Sequence, residues 1–165
     1  MIHQLFTDGG CVKANPSPYA GTWAWCYVVD GEMVYNQSGI IYPKAFNSKT
    51  LTNNQSELVA LLAGLSFLPL DWIGVVKSDS QVSLGRVFQG WKFKRGIPAH
   101  IILRYQEIKK KFLYWDQIKW VLLSGHPTKK ELETGIGKNG LPVSKWNVWC
   151  DHECGRLSKE FTEKK

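Results

Sequence analysis

The chain has 165 residues, of which 44% are hydrophobic and 21% are charged. These values are typical of one globular domain with its own core, and they exclude a disordered protein. The formal net charge of +7 favours a polyanionic partner, either nucleic acid or an acidic membrane surface. The sequence has no apolar run long enough to span a membrane and no signal-peptide pattern, so we expect a cytoplasmic protein, or a nuclear one in a eukaryote.

Four cysteines are present, Cys11, Cys26, Cys150 and Cys154. A disulfide framework is not expected in a chain of this size and location. Cys150 and Cys154 are four residues apart and would share a helix face, as in some zinc sites. No second Cys/His pair at a suitable spacing accompanies them, so the sequence argues against zinc.

The run Leu-Phe-Thr-Asp-Gly-Gly at residues 5–10 predicts a buried strand that brings Asp8 to the edge of a sheet. The two glycines permit a tight turn or the close approach of a ligand, although an Asp-Gly pair is also common in simple turns. Residues 21–30 and 32–41 predict two further strands joined by an Asp-Gly hairpin. These three strands form an antiparallel meander, which a polar loop over residues 43–52 follows.

Leucines at helical spacing predict a helix over residues 53–68, and Pro69 ends it. Glu57 lies in the first turn, where the helix dipole favours a carboxylate. Two interpretations of Glu57 are open at this point. It is either a functional acid or the partner of Asn54 in a capping box.

Residues 73–78 predict a short strand parallel to the first, because a strand-helix-strand crossover is right-handed. Asp79 follows it, either as a site residue or as the N-cap of a helix that begins near Gln81. Residues 117–123 predict the last strand. A long polar loop then leads to a closing helix over residues 146–161, which carries Asp151, and a loop of that length is typically functional or mobile.

Residues 91–95, Trp-Lys-Phe-Lys-Arg, alternate aromatic with cationic side chains. The following predicted helix, residues 99–115, continues the basic character through Arg104 and residues 109–111. Aromatic rings that stack on bases and cations that neutralise phosphates suit a nucleic-acid strand. The alternative is a solvated helix whose lysine side chains lie along its apolar surface.

Four acidic residues fall at the ends of predicted elements: Asp8, Glu57, Asp79 and Asp151. Clustered carboxylates repel one another and persist only where cations hold them together. Ligands that are all oxygen favour Mg²⁺ or Mn²⁺ over zinc. Two such ions can stabilise the attacking and leaving oxygens of a phosphodiester displacement. An acidic centre in a basic chain therefore predicts a metal-dependent nuclease.

Five short motifs resemble those of type 1 ribonuclease H, in the same order and over nearly the whole chain. They are Thr7-Asp8-Gly9-Gly10 with Asn15-Pro16, Thr52-Asn53-Asn54-Gln55-Ser56-Glu57-Leu58, Ser78-Asp79-Ser80-Gln81, Gln117-Ile118-Lys119-Trp120 with Ser124-Gly125-His126, and Asn147-x-x-Cys150-Asp151. Each motif is weak alone, but their order and spacing are specific. The resemblance implies an α/β ribonuclease H-like fold, with a five-stranded mixed sheet in the order 3-2-1-4-5 flanked by helices. It also implies that residues 1–165 form a single domain with no separate hybrid-binding domain.

The same resemblance implies an endoribonuclease that hydrolyses the RNA strand of RNA–DNA hybrids and leaves 3′-hydroxyl and 5′-phosphate ends. Its implied metal ligands, for two Mg²⁺ ions or Mn²⁺ in their place, are Asp8, Glu57, Asp79 and Asp151. His126, on a loop, would assist proton transfer or product release. The implied partner is the hybrid duplex, bound by a monomer without an organic cofactor.

Substrate contacts are implied in three groups. Minor-groove contacts that recognise 2′-hydroxyls are implied for Cys11, Asn15, Asn53, Asn54 and Gln81. Thr52 would hold a phosphate of the DNA strand. Trp91, Lys92, Lys94 and Arg95 would form a basic handle, reduced relative to the full basic protrusion of bacterial enzymes. The loop between His126 and Asp151 is longer than is usual in the family.

Two alternatives of other kinds are open. One is a structure-selective DNA nuclease of the same fold, and the other is a catalytically silent nucleic-acid-binding module. The Asn-Asn-x-x-Glu and Asp-Ser-Gln motifs favour the ribonuclease over the first. The presence of all four acids favours an enzyme over the second.

Overall fold

A computed structural model describes residues 1–94 and 96–164 of the chain. Its strands are β1 (His3–Cys11), β2 (Gly21–Val29), β3 (Glu32–Ile41), β4 (Val75–Ser78) and β5 (Lys119–Leu122). They form one sheet in the order β3-β2-β1-β4-β5. Pairing is antiparallel between β1 and β2 and between β2 and β3, and parallel between β1 and β4 and between β4 and β5. The predicted mixed sheet and its strand order are confirmed.

The helices of the described residues lie on both faces of this sheet. They are α1 (Asn53–Phe67), α2 (Gln81–Phe88), α3 (Ala99–Lys111), α4 (Lys129–Thr134) and α5 (Lys145–Glu163). Short 3₁₀ turns occur at Pro43–Phe46, Trp115–Gln117 and Lys138–Gly140. None of the helices described combines the length and the apolar character that crossing a membrane requires.

Several predicted elements differ from those of the structure. The helix predicted to reach residue 115 ends at Lys111, where Phe112 turns to an extended conformation and is buried. The last strand is four residues long, because a 3₁₀ turn occupies its predicted beginning. The long loop contains α4, which Thr128 and Glu131 cap in a capping box. The loop over residues 43–52 likewise opens with a 3₁₀ turn.

The caps of α1 and α2 differ from the alternatives left open by the sequence. Thr52 caps α1, because its Oγ1 accepts a hydrogen bond from the Gln55 backbone N–H at 3.2 Å. Ser80 caps α2, with its Oγ accepting from the Ser83 N–H at 3.2 Å. The capping roles considered for Glu57 and Asp79 are therefore wrong, and so is the predicted placement of Glu57 in the first turn of α1, which contains no acidic residue.

The core has two layers because alternate residues of a strand point to opposite faces of the sheet. Leu5 of β1 lies in the layer that also contains Leu58 and Leu61 of α1. Phe6, the next residue, packs in the layer that contains Cys150 of α5. Both faces of β1 are therefore covered, and the residues from Leu5 to Asp8 are all buried.

Gly9 sets the distance between β1 and α1. A Cβ atom at this position would lie 2.5 Å from the backbone N of Glu57 and 2.5 Å from the backbone C of Ser56. Real Cβ atoms do not approach backbone so closely, so any other residue would push α1 away. The missing side chain allows the first turn of α1 to lie directly on β1, next to Asp8.

We expect Gly9→Ala to lower the free energy of unfolding by about 3 kcal/mol, because the clash is with backbone and overpacking costs that order of energy. Gly155→Ala in α5 is the matched control, since a Cβ there meets nothing within 4 Å. It should leave stability unchanged or raise it by up to about 1 kcal/mol, as expected for an exposed helical glycine. Urea unfolding of both variants measures the difference, and equal stabilities would contradict the packing role of Gly9.

Candidate active site

Three acidic side chains from three elements meet where the parallel pairing of β1 with β4 ends. Asp8 lies on β1, Glu57 in α1, and Asp79 directly after β4. A ligand oxygen from each carboxylate lies within 4.8 Å of the others. Thr7 pairs with Ser78 across the parallel strands. The residues that follow them, Asp8 and Asp79, therefore lie at the same position along the strand direction. Asp8 is the deepest of the three, with 4% of its surface exposed.

Asp151 approaches the cluster from α5. It does not share the 4.8 Å group formed by the other three acids, but its charge raises the pKa of both Asp8 and Asp79. Its Oδ2 lies 3.5 Å from Nδ1 of His126, whose side chain is 79% exposed. His126 has a left-handed backbone with φ of 48°. The structure therefore places all five predicted catalytic residues at one edge, with His126 at the rim.

Burial and mutual repulsion disfavour negative charge in the cluster. The pKa of Asp8 is raised well above its usual range, first by burial and then by the charges of Asp79, Glu57 and Asp151. Burial and Asp79 raise the pKa of Glu57 to about 7, although a hydrogen bond from Ser80 opposes the shift. The pKa of Asp79 is also raised, mainly by burial.

Three neighbours of Asp79 and Glu57 were not predicted as site residues. Asn147 Nδ2 donates a hydrogen bond to Asp79 Oδ2 at 3.3 Å. Ser80 hydrogen-bonds to Glu57. A Cβ at Gly125 would lie only 2.7 Å from Asp79 Oδ2, so a glycine leaves the room that this carboxylate needs. Asn147 lies four residues before Asp151, and that helical spacing was a signal that could have identified it.

The donor set fits a hard divalent cation. All three clustered ligands are carboxylate oxygens, which Mg²⁺ and Mn²⁺ prefer. A cation among them would relieve the repulsion that raises their pKa values. The residues present therefore fit the metal that the sequence predicts, while the cluster alone does not define how many ions bind.

The cysteines of α5 take no part in this cluster. Cys150 is buried with its Sγ 3.8 Å from Cys26 Sγ and 3.7 Å from the Phe6 carbonyl oxygen. Cys154 donates to the Asp8 carbonyl oxygen at 3.7 Å. Burial raises the pKa of Cys150 well above its usual range and that of Cys154 to about 12. These groups are thiols that pack α5 onto β1, and all four cysteines are free.

Four of the five residues predicted to contact a minor groove surround the start of α1. Asn15 Oδ1 accepts from the Asn53 backbone N–H at 3.1 Å and lies 3.8 Å from Cys11 Sγ. Asn54 is exposed in the first turn of α1, next to the capping Thr52. The structure thus brings Cys11, Asn15, Asn53 and Asn54 together at the start of the helix that carries Glu57.

The other predicted contacts lie along α2 and the segment after it. Gln81 is the exposed first residue of α2. Trp91 packs its indole against Gly85 of α2, yet keeps 42% of its surface exposed. Lys92 and Lys94 are exposed. Arg95 lies outside the described residues.

No protein-family model matches the chain, and no curated protein is similar to it in sequence. Solved structures do align over nearly its whole length. LC11-RNase H1 in complex with RNA/DNA hybrid aligns with 17% identity and a TM-score of 0.66, over 96% of this chain and 97% of its own.

Two further structures agree. The RNase H1 of the halophilic archaeon Halobacterium salinarum aligns with 19% identity and a TM-score of 0.65, over 97% of this chain and 99% of its own. The N-terminal RNase H domain of a Mycobacterium tuberculosis protein aligns with 16% identity and a TM-score of 0.64, over 98% and 96%. The chain therefore has the ribonuclease H fold, as its motifs predict.

The raised pKa values predict how stability depends on pH without metal. A carboxyl whose pKa is higher in the folded state binds more protons there, so stability falls as pH rises from its unfolded value to its folded one. For Glu57 this window extends from 4.5 to about 7, and the shift corresponds to at most about 3 kcal/mol. We expect Asp79→Asn to raise the melting temperature of the metal-free protein at about pH 8, and the gain to shrink towards about pH 4.

Asp116→Asn is the control, because Asp116 is exposed and lies before the start of β5, whereas Asp79 follows the end of the parallel strand β4. Added Mg²⁺ should raise the melting temperature of the wild type more than that of Asp79→Asn. A gain from Asp79→Asn that is the same at every pH would contradict the repulsion described above.

Proposed function

We propose that the protein is an Mg²⁺-dependent endoribonuclease that hydrolyses the RNA strand of RNA–DNA hybrids. The observation that carries the proposal is the group of Asp8, Glu57 and Asp79 oxygens within 4.8 Å of one another, with Asp8 buried and the other two partly buried, in a chain of net charge +7. The fold supports it, because proteins with this fold include an RNase H1 solved with an RNA/DNA hybrid. An acidic membrane surface would explain the net charge but not the clustered carboxylates.

The three clustered carboxylates would hold the divalent cations, with Asp151 as a further ligand from α5. We propose two Mg²⁺ ions, which Mn²⁺ can replace. When bound, the ions supply positive charge to the attacking water and to the leaving oxygen of the scissile phosphodiester. Asp8 anchors the site, because it is the most buried acid and lies on the central strand of the sheet.

The side chains around the metal site then direct hydrolysis. The oxygen of water forms a bond to phosphorus and the bond from phosphorus to the 3′ oxygen breaks, which leaves 3′-hydroxyl and 5′-phosphate ends. His126 is exposed beside a cavity of about 220 Å³ that Asp151 and Asn147 also line. Its imidazole would accept a proton during attack or assist release of the product.

Recognition of the hybrid is proposed for the groups on either side of Glu57. The side chains of Cys11, Asn15, Asn53, Asn54 and Gln81 would face the minor groove, where 2′-hydroxyls distinguish RNA from DNA. Thr52 would hold a phosphate of the DNA strand, and Lys92 and Lys94 would neutralise further phosphates. We further propose a monomer without an organic cofactor, located in the cytoplasm or, in a eukaryote, the nucleus.

Cleavage of a labelled RNA–DNA hybrid in Mg²⁺ tests the proposal. The wild type should cut only the RNA strand of the hybrid, and should leave duplex RNA, duplex DNA and a four-way junction intact. Asp79→Asn should lower kcat at least about 100-fold, because it removes a ligand that places charge at the reacting oxygens. Asp116→Asn should retain wild-type activity.

Two outcomes would contradict this function. Cleavage of the junction would identify a structure-selective DNA nuclease of the same fold. Binding of the hybrid without cleavage, in Mg²⁺ and in Mn²⁺, would identify a catalytically silent binding module.

The exposed position of His126 predicts a separation of activity from stability. We expect His126→Ala to lower kcat about 10- to 100-fold, the lower part of the range for general acid–base groups. The melting temperature should stay within about 1 °C of the wild type, because surface substitutions change stability little. His152→Ala, which replaces another exposed histidine at the same cavity, is the control. Equal activities for the two variants would remove His126 from the mechanism.

A further inference from the structure

Gln55 connects two parts of the site that are far apart in sequence. Its Oε1 accepts the Thr52 backbone N–H at 2.8 Å, which completes the cap of α1. Its Nε2 donates to the Gly96 carbonyl oxygen at 2.7 Å, across 41 residues. The side chain is buried. Because one partner is a donor and the other an acceptor, they identify the oxygen and the nitrogen of the amide.

Each partner of Gln55 belongs to a functional segment. Thr52 is the N-cap of α1, the helix that carries Glu57 and the proposed minor-groove contacts Asn53 and Asn54. Gly96 ends the segment of residues 91–96 that presents Lys92 and Lys94. The hydrogen bond therefore joins the proposed phosphate contacts to the helix that supplies a catalytic carboxylate.

The segment is held at three described points. At its start, the Trp91 N–H donates to the Gly85 carbonyl oxygen at 3.1 Å. In the middle, the Phe93 ring packs on Tyr105 with centroids 5.2 Å apart, while Lys92 and Lys94 on either side are exposed. Towards its end, Gly96 is bound by Gln55.

Gly96 is adapted to this contact in two ways. Its φ of +92° is a conformation that residues with side chains rarely adopt, and a Cβ there would lie 3.1 Å from Gln55 Nε2. The backbone conformation and the close approach thus both favour glycine. Among the described residues, the amide of Gln55 is the hydrogen-bond donor that holds the Gly96 carbonyl beside α1.

The choice of glutamine over glutamate supports a role beyond capping. A glutamate at this position of a capping box accepts the same N–H, and α4 uses Glu131 in this way. A carboxylate cannot donate to the Gly96 carbonyl, whereas an amide both accepts and donates. The second hydrogen bond is therefore the feature that requires glutamine here.

We infer that Gln55 is a positioning residue that holds the Lys92 and Lys94 segment at a fixed distance from the catalytic carboxylates. This inference rests on the proposed function. The ligand class is the phosphate backbone of a hybrid long enough to reach both sites. Gln55 touches neither the reacting phosphate nor its ligands. It determines where the duplex backbone is held while the cluster acts.

Gln55→Glu is the informative variant, because it retains the acceptor of the cap and replaces the donor to Gly96 with an oxygen that cannot donate, although it also adds a negative charge. On a long hybrid we expect KM to rise about three- to tenfold, with kcat within about twofold of the wild type. The slope of log affinity against log salt should fall by about one to two, as expected when one or two phosphate contacts are lost. Cleavage positions on an end-labelled hybrid should become less uniform.

A double-mutant cycle separates this mechanism from the effect of an added charge near Glu57. In a Lys92→Ala, Lys94→Ala background, Gln55→Glu should have little further effect on KM, because the contacts that it positions are gone. Glu131→Gln, the reverse exchange in the capping box of α4, is the control and should leave KM unchanged. A melting temperature of Gln55→Glu near that of the wild type shows that the cap is intact.

The outcomes distinguish this inference from the proposed function. If the wild type cleaves the hybrid and Gln55→Glu matches it in KM, salt slope and cleavage positions, the positioning role is wrong and the function stands. An effect of Gln55→Glu that is as large without the two lysines as with them also overturns the positioning role. A wild type that does not cleave the hybrid contradicts the proposed function itself.

Discussion

Repulsion among carboxylates that lie close together and are shielded from solvent at least in part is the constraint on which this structure depends. Asp8, Glu57 and Asp79 would separate if their side chains alone decided the distance, and their raised pKa values express that tendency. The backbone holds them together instead. The Thr7 to Ser78 register aligns Asp8 with Asp79, and the absence of a side chain at Gly9 brings α1 down onto β1. The fold thus maintains an unfavourable charge distribution that a bound cation would make favourable.

The helix ends near the cluster are adapted to the same constraint. Thr52, Ser80 and Ser144 cap α1, α2 and α5 through neutral hydroxyl groups, and none of these helices has an acidic residue in its first turn. By contrast, α4 places Glu131 in its capping box. A carboxylate cap stabilises a helix in isolation. Beside three clustered acids it would add to the repulsion, so neutral caps are the better solution there.

Much of the fold could be predicted because its signals are local and strong. The continuous apolar run that ends at Asp8, the hairpin at Asp30-Gly31 and the leucine period of α1 each correspond to an element of the structure. The sheet order came from the resemblance of the motifs, since strand pairing between distant segments leaves no local signal. The same motifs indicated the acids, and the structure places those acids at one edge.

The missed elements lack such signals. None of the residues of α4 is buried, so no apolar periodicity marks it, and only its Thr128 to Glu131 spacing indicated a helix. The second hydrogen bond of Gln55, to the Gly96 carbonyl oxygen 41 residues away, has no local signal. The spacing of Asn147 from Asp151 indicates a shared helix face, but the hydrogen bond of Asn147 to Asp79 and the room that Gly125 leaves for that carboxylate depend on where Asp79 lies in space. These are tertiary relations, which a pattern in one stretch of sequence cannot contain.

The opposite charges of the rim and the centre explain why positioning matters. A nucleic acid is attracted to exposed cations such as Lys92 and Lys94, but the carboxylates repel its phosphates until cations neutralise them. The attractive and repulsive regions must therefore keep a fixed distance, so that binding at the rim places one phosphodiester at the centre. A flexible basic segment would retain the attraction and lose this alignment. Contacts of Trp91, Phe93 and Gly96 hold the basic segment in place, and the Gly96 contact depends on the amide of Gln55. With the proposed function, these contacts would make the basic surface a fixed binding position.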